Sequence, residues 1–343
     1  MGETHFRHLS TEERRLALRK AQAECPHPAF LLEKDIWVVA TLNVLFEAPF
    51  GRHLVFKGGT SLSKAWQAIR RFSEDIDITY DIRGFAPDLV AGVGDEALPP
   101  TRSQERRWTR AIRPRLTEWV RDTAGPLVQE ELAHAGFPAR IRAEAERLYV
   151  GYEPLFEARG IVRPEVQVDF GARSTGEPHA ARPVVCDAAA YVPELGFPEA
   201  RPATMLPERT FWEKSTLMHV YCLQGRIRGA RWSRHWYDLV RLDDAGVAAR
   251  ALTDRELALS VARHKAMFFR ENDPTGRRID YEAAVSGNLR LVPSGAAQEA
   301  LAEDYASMLA TGMLLDEHEA FEALMGQCAL IESRANAARA TDP

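Results

Sequence analysis

Apolar positions recur at helical spacing over several long stretches of the chain. This spacing predicts helices over 10–24, 29–47 and 102–136. Ser10, followed three residues later by Glu13, predicts a capping box at the start of the first helix. Several more such patterns in the last third of the chain predict a mainly helical second half.

Strict alternation of polar and apolar residues predicts two strands whose polar faces carry carboxylates. In the run 75–80, Asp75 and Asp77 share one face, roughly 7 Å apart from the rise per residue. In the run 164–170, the same alternation turns Asp169 away from the core. If the two strands are neighbours, Asp169 becomes a third carboxylate beside the first two. Such oxygen donors suit a hard cation such as magnesium, which binds a few carboxylates together with substrate phosphates.

A short apolar strand, Leu54 to Phe56, ends in a turn that contains two adjacent glycines, Gly58 and Gly59. Glycines at a strand-to-helix turn let backbone amides and a helix N-terminus approach an anion. Apolar residues at helical spacing then predict an amphipathic helix that reaches Ile69.

The order of these elements resembles the DNA polymerase β-like nucleotidyltransferases, in which a glycine turn, a helix and an Asp-x-Asp strand follow each other. The run KGGTSLSKAW followed by RFSEDIDI resembles, more narrowly, the nucleotidyltransferase toxins of the AbiEii and MenT type. The resemblance covers residues from about 30 to 295 and includes four more blocks: LLEKDIWV at 31–38, VQVDFGARS at 166–174, ERTFWEKSTLMH at 208–219 and SRHWYDLVRL at 233–242.

The resemblance implies an α/β (α+β) fold, and a Pro-rich passage from Pro178 to Pro202 places a domain change near residue 200. Residues 1–200 would form a polymerase β-like nucleotidyltransferase core with a mixed sheet. Residues 201–343 would form a mainly helical domain that completes the active-site cleft. One departure from the family's commonest spacing is that fifteen residues separate Gly59 from Asp75. We expect an extra turn of helix to take up this length.

The resemblance also implies site residues for a metal-dependent transfer of a nucleotide. The expected ligands of Mg²⁺ or Mn²⁺ are Asp75, Asp77 and Asp169. The expected contacts to the triphosphate of an NTP are Lys57, Gly58, Gly59, Thr60, Ser61, Lys64 and Lys214. We expect Glu74 to be a bystander, because on a strand it points away from its two acidic neighbours.

Two charged positions are open to a structural or a functional interpretation. Lys214 lies in the apolar stripe of its predicted helix, so its charge needs an anionic partner. That partner is either a triphosphate or a structural carboxylate such as Asp238. The resemblance also implies that Asp238 lies near the active-site cleft as a catalytic residue, where it would orient Lys214 or the incoming nucleotide. The adjacent Lys34 and Asp35, inside a buried helix, form either structural pairs or nucleotide contacts.

Composition places the chain among ordinary globular proteins. It has 343 residues, of which 45% are apolar and 27% charged, enough for a sizeable core. No apolar run approaches 18 residues and the first residues lack an apolar segment, so we expect neither a membrane span nor a secretion signal. The four cysteines are scattered without a CxxC pair, which is typical of thiols in a reducing cytoplasm.

The acceptor of the nucleotide is the least determined part of the prediction. The family implies a bacterial toxin with a cognate antitoxin, which blocks translation by adding nucleotides to tRNA ends. The net charge is −5, but arginines are concentrated in 102–115 and 226–234, which is compatible with an RNA backbone. Arg231, Arg234 and His235 are candidate contacts to the acceptor or its phosphates. The alternatives are an antibiotic-type small-molecule acceptor and a non-catalytic nucleotide-binding module.

Overall fold

The computed structural model describes residues 4–157, 163–227, 230–310, 314 and 319–340. These divide into two compact units. The first unit comprises Met1–Trp66, Ser73–Gly92 and Arg106–Met205, and the second comprises Gln67–Phe72, Val93–Glu105 and Leu206–Pro343. Two short segments of the first 200 residues therefore group with the second unit. The division at residue 200 into two functional domains stays a prediction.

All the strands of the described residues belong to the first unit. They are β1 Thr4–His5, β2 Leu54–Lys57, β3 Ile76–Asp81, β4 Arg140–Glu144, β5 Arg147–Gly151, β6 Glu165–Ser174, β7 His179–Ala181, β8 Val184–Val185, β9 Leu195–Gly196, β10 Glu199–Ala200 and β11 Ala203–Met205. Seven of them form one mixed sheet in the order β4-β5-β6-β3-β2-β11-β7. β3 pairs with β6 in parallel and with β2 in antiparallel orientation. The two predicted carboxylate strands are therefore direct neighbours.

The helices are distributed over both units. They are α1 Thr11–Gln22, α2 Ala29–Glu47, α3 Gly58–Thr60, α4 Ile82–Phe85, α5 Pro87–Val90, α6 Arg102–Trp119, α7 Gly125–His134, α8 Pro207–Gln224, α9 Arg234–Asp244, α10 Val247–Thr253, α11 Arg255–Phe268, α12 Tyr281–Ala283, α13 Ala296–Ala310 and α14 Phe321–Ala340. Short 3₁₀ segments occur at Phe6–His8, Gly51–His53 and Asp187–Ala190, and π-helical turns at Ser61–Ala65, Val120–Ala124 and Ala284–Asn288. No helix in this part of the chain is long and apolar enough to cross a membrane.

Apolar side chains cover the face of the sheet opposite the carboxylates. Tyr80 of β3 and Phe170 of β6 point to this face, and the ring of Trp119 from α6 packs edge-on against both. Because side chains alternate along a strand, this packing leaves Asp77 and Asp169 together on the other face. The core thus fixes which face carries the chemistry.

The long helices confirm the predicted helical ranges and the predicted capping box of α1. Ser10 and Glu13 form both hydrogen bonds of the capping box at the start of α1. α2 covers the predicted range 29–47 and is buried along almost its whole length. α6, the following π-helical turn and α7 together occupy the predicted stretch 102–136, with Pro114 inside α6. The α/β fold class predicted from the sequence is confirmed.

The helix after the glycine turn is shorter than its apolar spacing predicts. It begins at Gly58, continues through the π-helical turn and ends at Ala65, and Gln67 then adopts a left-handed backbone with φ of 52°. The expectation of a helix reaching Ile69 is therefore wrong. Ala68 and Ile69 are buried from a loop instead, which shows that burial alone produced their apolar pattern. The extra length before Asp75 is this loop and not an added helical turn.

Candidate active site

Four charged residues form one row across the sheet of the first unit. β-sheet register places Lys57 opposite Asp77, Asp77 beside Asp169, and Asp169 opposite Arg147. Neighbouring strands lie about 4.8 Å apart, so these side chains are contiguous on one face. Like charges on adjacent strands repel each other. Lys57 and Arg147 flank the two aspartates, and their positive charges offset the repulsion between the carboxylates.

Both carboxylate oxygens of Asp169 have partners within the sheet. Arg147 donates from Nε to Oδ1 at 2.6 Å, and Gln167 donates from Nε2 to Oδ2 at 2.6 Å. The side chain of Asp169 is 31% exposed and that of Arg147 is 56% exposed. Asp169 therefore faces solvent while its orientation is fixed by two neighbours.

Gly58 brings the backbone of the turn directly against Asp77. Its φ is +78°, which favours glycine, and a Cβ at this position would lie 2.0 Å from Oδ2 of Asp77. Any other residue would both strain the backbone and displace the carboxylate. The glycine turn and the Asp-x-Asp strand thus form one structure.

Two hydroxyls of the turn hold it in place. Thr60 Oγ1 donates to the backbone carbonyl of Asp75 at 2.5 Å, and Ser61 Oγ donates to the carbonyl of Gly58 at 2.9 Å. Both residues are buried. In this structure their hydroxyls fix the turn, and their predicted contact with a phosphate stays a prediction.

Lys64 lies in a buried ion-pair cluster. Its Nζ is 2.6 Å from Oδ1 of Asp35 and 2.6 Å from Oδ1 of Asp187. Burial by itself would lower the pKa of Lys64, but the charges of these two carboxylates outweigh it and raise the pKa. The ammonium therefore stays charged, and in this structure it forms ion pairs with Asp35 and Asp187. Its predicted contact with the triphosphate stays a prediction.

The adjacent residues Lys34 and Asp35 both form buried ion pairs. Lys34 Nζ lies 2.6 Å from Oε2 of Glu74, and Asp35 pairs with Lys64. Of the two interpretations that the sequence left open, the structure shows the structural one. Glu74 lies before β3, is buried, and has Lys34 as its partner.

Three carboxylates near the start of β3 and within β6 are the candidate ligands for a divalent metal. Asp77 and Asp169 are adjacent on one face, and Asp75 comes immediately before β3. Among the residues that the structure describes, no group of three or more histidine, cysteine or acidic side chains is arranged to hold a metal ion. Magnesium usually takes only one or two carboxylates and completes its shell with water and substrate phosphates. The Asp77–Asp169 pair fits that requirement, while the full three-carboxylate set stays a prediction.

A second charged cluster lies inside the second unit, around Asp238 of α9. Arg71 donates to both carboxylate oxygens of Asp238 at 2.7 and 2.9 Å, and Lys214 of α8 lies 2.9 Å from Oδ2. Asp238 is completely buried. Burial by itself would raise the pKa of Asp238, but Arg71 and Lys214 outweigh it and hold the pKa well below its usual range. The structural partner considered for Lys214 is thus present.

His235 completes this second cluster. Its Nδ1 lies 3.3 Å from Nζ of Lys214. Burial, together with the charges of Lys214 and Arg234, holds the pKa of His235 well below its usual range. A neutral imidazole accepts a hydrogen bond from the ammonium, so His235 and Asp238 both orient Lys214. Burial also lowers the pKa of Lys214, and Asp238 opposes part of that shift.

The other candidate acceptor contacts, Arg231 and Arg234, lie just before α9 and at its first residue. Arg231 has a left-handed backbone, with φ of 65°, and its amide donates to Oδ1 of Asp304 at 2.6 Å. The amide of Ser233 donates to Oδ2 of the same carboxylate at 2.7 Å. Arg234 is half-buried at the first position of α9. Arg228 of the same basic run lies outside the described residues.

Comparison with known protein families identifies the family of the chain. The family model described as "Nucleotidyl transferase AbiEii toxin, Type IV TA system" matches residues 42–327. The chain belongs to this family. The match contains the glycine turn, both carboxylate strands and the Lys214–Asp238 pair, and it confirms the resemblance seen in the sequence. As an AbiEii family member, the chain is a nucleotidyltransferase of the toxin class.

Two solved structures resemble the chain over most of its length. MenT4, a nucleotidyltransferase toxin from Mycobacterium tuberculosis, is 17% identical, and the match covers 94% of this chain and 99% of that one with a TM-score of 0.38. JHP933 from Helicobacter pylori is 14% identical, with coverage of 88% and 89% and a TM-score of 0.39. No curated protein sequence matches the chain.

Some residues of this AbiEii family site gave no signal in the sequence. Arg71 lies in the loop that replaces the expected helical turn, 167 positions from its partner Asp238. Arg147 is the first residue of β5, and only the register reveals that it faces Asp169. The excess length between Gly59 and Asp75 was the one visible sign of such a loop.

Proposed function

We propose that the chain is a toxin that transfers NMP from an NTP to the 3′ end of a tRNA and thereby blocks translation in the cytoplasm. The observation that carries this proposal is the row of Lys57, Asp77, Asp169 and Arg147 with the Gly58 turn against it. It combines a phosphate-binding turn with adjacent carboxylates. Its natural partner in the cell is a cognate antitoxin, as expected for a type IV toxin–antitoxin family.

In this mechanism the first unit binds the reacting end of the NTP. The backbone amides of Gly58 and Gly59, together with the side chain of Lys57, bind phosphate oxygens. Asp77 and Asp169, with Asp75 as the third candidate, would hold Mg²⁺ or Mn²⁺. A divalent metal bound there supplies charge neutralisation of the leaving pyrophosphate and a lowered pKa of the acceptor hydroxyl.

Lys214 is the cation that the family resemblance assigns to the nucleotide phosphates, and Asp238 is the positioning residue that holds its ammonium. Because the ion pair and the contact with His235 already exist in the protein, little reorganisation is required when the NTP binds. Arg231 and Arg234 are proposed contacts to the acceptor.

An RNA acceptor is supported by the distribution of positive charge. Three arginines of α6, Arg106, Arg107 and Arg110, are exposed within two turns of one helix. Exposed arginines of this kind bind phosphate backbones and make affinity for nucleic acid fall with salt concentration. The chain as a whole has a net charge of −5, so this local concentration is the more informative feature.

A labelling experiment tests this function. Purified protein is incubated with each of the four NTPs, labelled at the α-phosphate, together with Mg²⁺ and either bulk tRNA or a mixture of aminoglycosides. We expect label on tRNA, with one NTP preferred. Label on the aminoglycosides alone would replace the RNA acceptor by a small molecule.

A growth experiment tests the toxin role. Asp75→Ala and Asp77→Ala are each expected to abolish growth inhibition by the expressed chain in a bacterial host. Asp81→Asn is the matched control, because Asp81 is at the end of the same strand and pairs with Arg83. Undiminished inhibition by both alanine variants would reject the catalytic mechanism.

A further inference from the structure

Helix α2 buries three consecutive charged residues. Glu33, Lys34 and Asp35 are each less than 5% exposed. Burying a charge is costly unless it is paired and hydrogen-bonded. Lys34 and Asp35 each have an ion-pair partner, and Glu33 accepts a hydrogen bond from the amide of Leu155. The three partners come from different parts of the first unit. Three buried ionisable residues in a row are therefore a built feature of this helix.

Lys34 connects α2 to the approach of the carboxylate strand. Its Nζ donates to Oε2 of Glu74 at 2.6 Å and to the carbonyl of Arg163 at 3.1 Å. Glu74 is 8% exposed and directly precedes Asp75 in the chain. The position of Asp75 is therefore tied to α2 through a single peptide unit.

Asp35 connects the same helix to the phosphate turn. Oδ1 of Asp35 lies 2.6 Å from Nζ of Lys64, and Oδ2 accepts a hydrogen bond from the amide of Asp187 at 2.7 Å. Lys64 lies in the helical segment that begins at Gly58. Its second carboxylate partner, Asp187, closes a three-residue ion-pair cluster.

Adjacent helical residues point about 100° apart, so Lys34 and Asp35 reach two different segments from one rigid element. The two segments meet again where the Thr60 hydroxyl donates to the carbonyl of Asp75. We infer that Lys34 and Asp35 are positioning residues for nucleotidyl transfer, Lys34 acting through Glu74 on the carboxylates and Asp35 acting through Lys64 on the phosphate turn. This inference rests on the proposed function, in which that turn binds the NTP.

The inference predicts that variants of Lys34 mainly change the affinity for Mn²⁺ and that variants of Asp35 mainly change the affinity for the NTP. The dissociation constants of Mn²⁺, followed by electron paramagnetic resonance, and of each NTP, followed by calorimetry, are measured for the whole chain and its variants. Losing an outer partner of a ligand typically costs 10–100-fold in affinity or activity. Asp35→Asn is expected to weaken NTP binding about tenfold and to leave Mn²⁺ binding unchanged. Lys34→Met is expected to weaken Mn²⁺ binding about tenfold, with a smaller effect on the NTP.

Glu33→Gln is the matched control. Glu33 is the neighbouring buried acidic residue of the same helix, and it accepts a hydrogen bond at 2.8 Å from the amide of Leu155, which belongs to neither segment. This variant is expected to leave both dissociation constants within about twofold, although it alters a buried ionisable group of the same helix. Equal effects of all three variants on both constants would mean that α2 only stabilises the fold.

Two further variants keep the test decisive. Asp187→Asn alters a carboxylate whose side chain is 33% exposed and leaves the Asp35–Lys64 pair in place, so the chain is expected to fold and to show a weaker form of the Asp35→Asn effect. Asp35→Asn combined with Lys64→Met is expected to bind NTP no worse than either single variant, since both residues act through one contact. Additive losses would overturn the inference. Tighter NTP binding by Asp35→Asn would also overturn it, because Lys64 would then bind phosphate directly once released.

The wild-type chain separates the two levels of the argument. If it bound no NTP, the proposed function would fail, and this inference with it. If it bound and transferred NTP while folded Asp35→Asn and Lys34→Met matched it in both constants, only the inference would fail.

Discussion

The two charged clusters of this protein are built on opposite principles. In the first unit, Asp77 and Asp169 lie on the open face of a sheet, partly exposed, beside Arg147. In the second unit, Asp238 is fully buried and its charge is shared by Arg71 and Lys214. The first cluster places two carboxylates side by side between flanking cations at the surface, whereas the second buries opposite charges together.

The difference in exposure indicates which carboxylates a metal ion can reach. Two neighbouring carboxylates at a surface repel each other until a cation lies between them, so the first cluster is suited to gain a partner. A buried, hydrogen-bonded ion pair is already satisfied, and breaking it is costly. We therefore expect variants of the first cluster to change activity with little effect on stability, and variants of Asp238 to lower stability as well as to displace Lys214. The following predictions test that division, from the largest expected effect to the smallest.

Asp238→Asn is expected to lower the free energy of unfolding by about 3–5 kcal/mol, because it leaves two buried cations without their shared charge. Urea denaturation measures this. Lys214→Met is the matched variant and is expected to cost less, since Asp238 would keep both hydrogen bonds from Arg71. A larger loss from Lys214→Met than from Asp238→Asn would contradict the assignment of Asp238 as the centre of the cluster.

Asp77→Asn is expected to reduce NMP transfer by more than about 100-fold, above the 10–100-fold typical for an outer partner of a ligand. The same variant is expected to keep wild-type stability, because it removes one of two repelling charges. Transfer of labelled nucleotide and urea denaturation measure the two effects. A stability loss comparable to that of Asp238→Asn would remove the distinction between the clusters.

His235→Gln is expected to reduce the slope with which the free energy of unfolding falls as the pH decreases. The folded pKa of His235 lies well below its unfolded value of about 6.5, so below that pH the unfolded chain binds more protons than the folded one. The wild type therefore loses stability as the pH falls below about 6.5, by up to about 1.4 kcal/mol per pH unit from this group. Denaturation midpoints from pH 7.5 to 5 measure the slope. The same change at the exposed His179 is the control and is expected to leave it unaltered.

Arg147→Gln is expected to lower the Mg²⁺ concentration for half-maximal transfer by at most about fivefold, since an exposed ion pair contributes up to about 1 kcal/mol. Its guanidinium occupies an oxygen of Asp169 that a metal would share. Arg142→Gln, on the adjacent strand β4, is the matched control. A raised Mg²⁺ requirement would show that Arg147 supports the metal site and does not compete with it.

The sequence predicted the parts of the site that depend on local periodicity. Alternation placed Asp77 and Asp169 on polar faces, and the register confirmed that they are neighbours. Helical spacing placed Lys214 on an inward face, where it is buried. The same spacing failed after Ala65, because buried residues of a loop imitate a helical pattern. Periodicity reports which residues are buried and only indirectly the backbone that buries them.

By itself, the sequence determined the family, the α/β class, the glycine turn and the residue types of the site, because these depend on neighbours in the chain. Only the tertiary structure decided the partners: Arg147 for Asp169, Arg71 for Asp238, and Asp35 with Asp187 for Lys64. These pairs join positions 22 to 167 residues apart. A charge constrains only the sign of its partner, while register and packing choose which residue it is. For that reason the chemistry could be predicted from the chain, and the contacts that hold it in place could not.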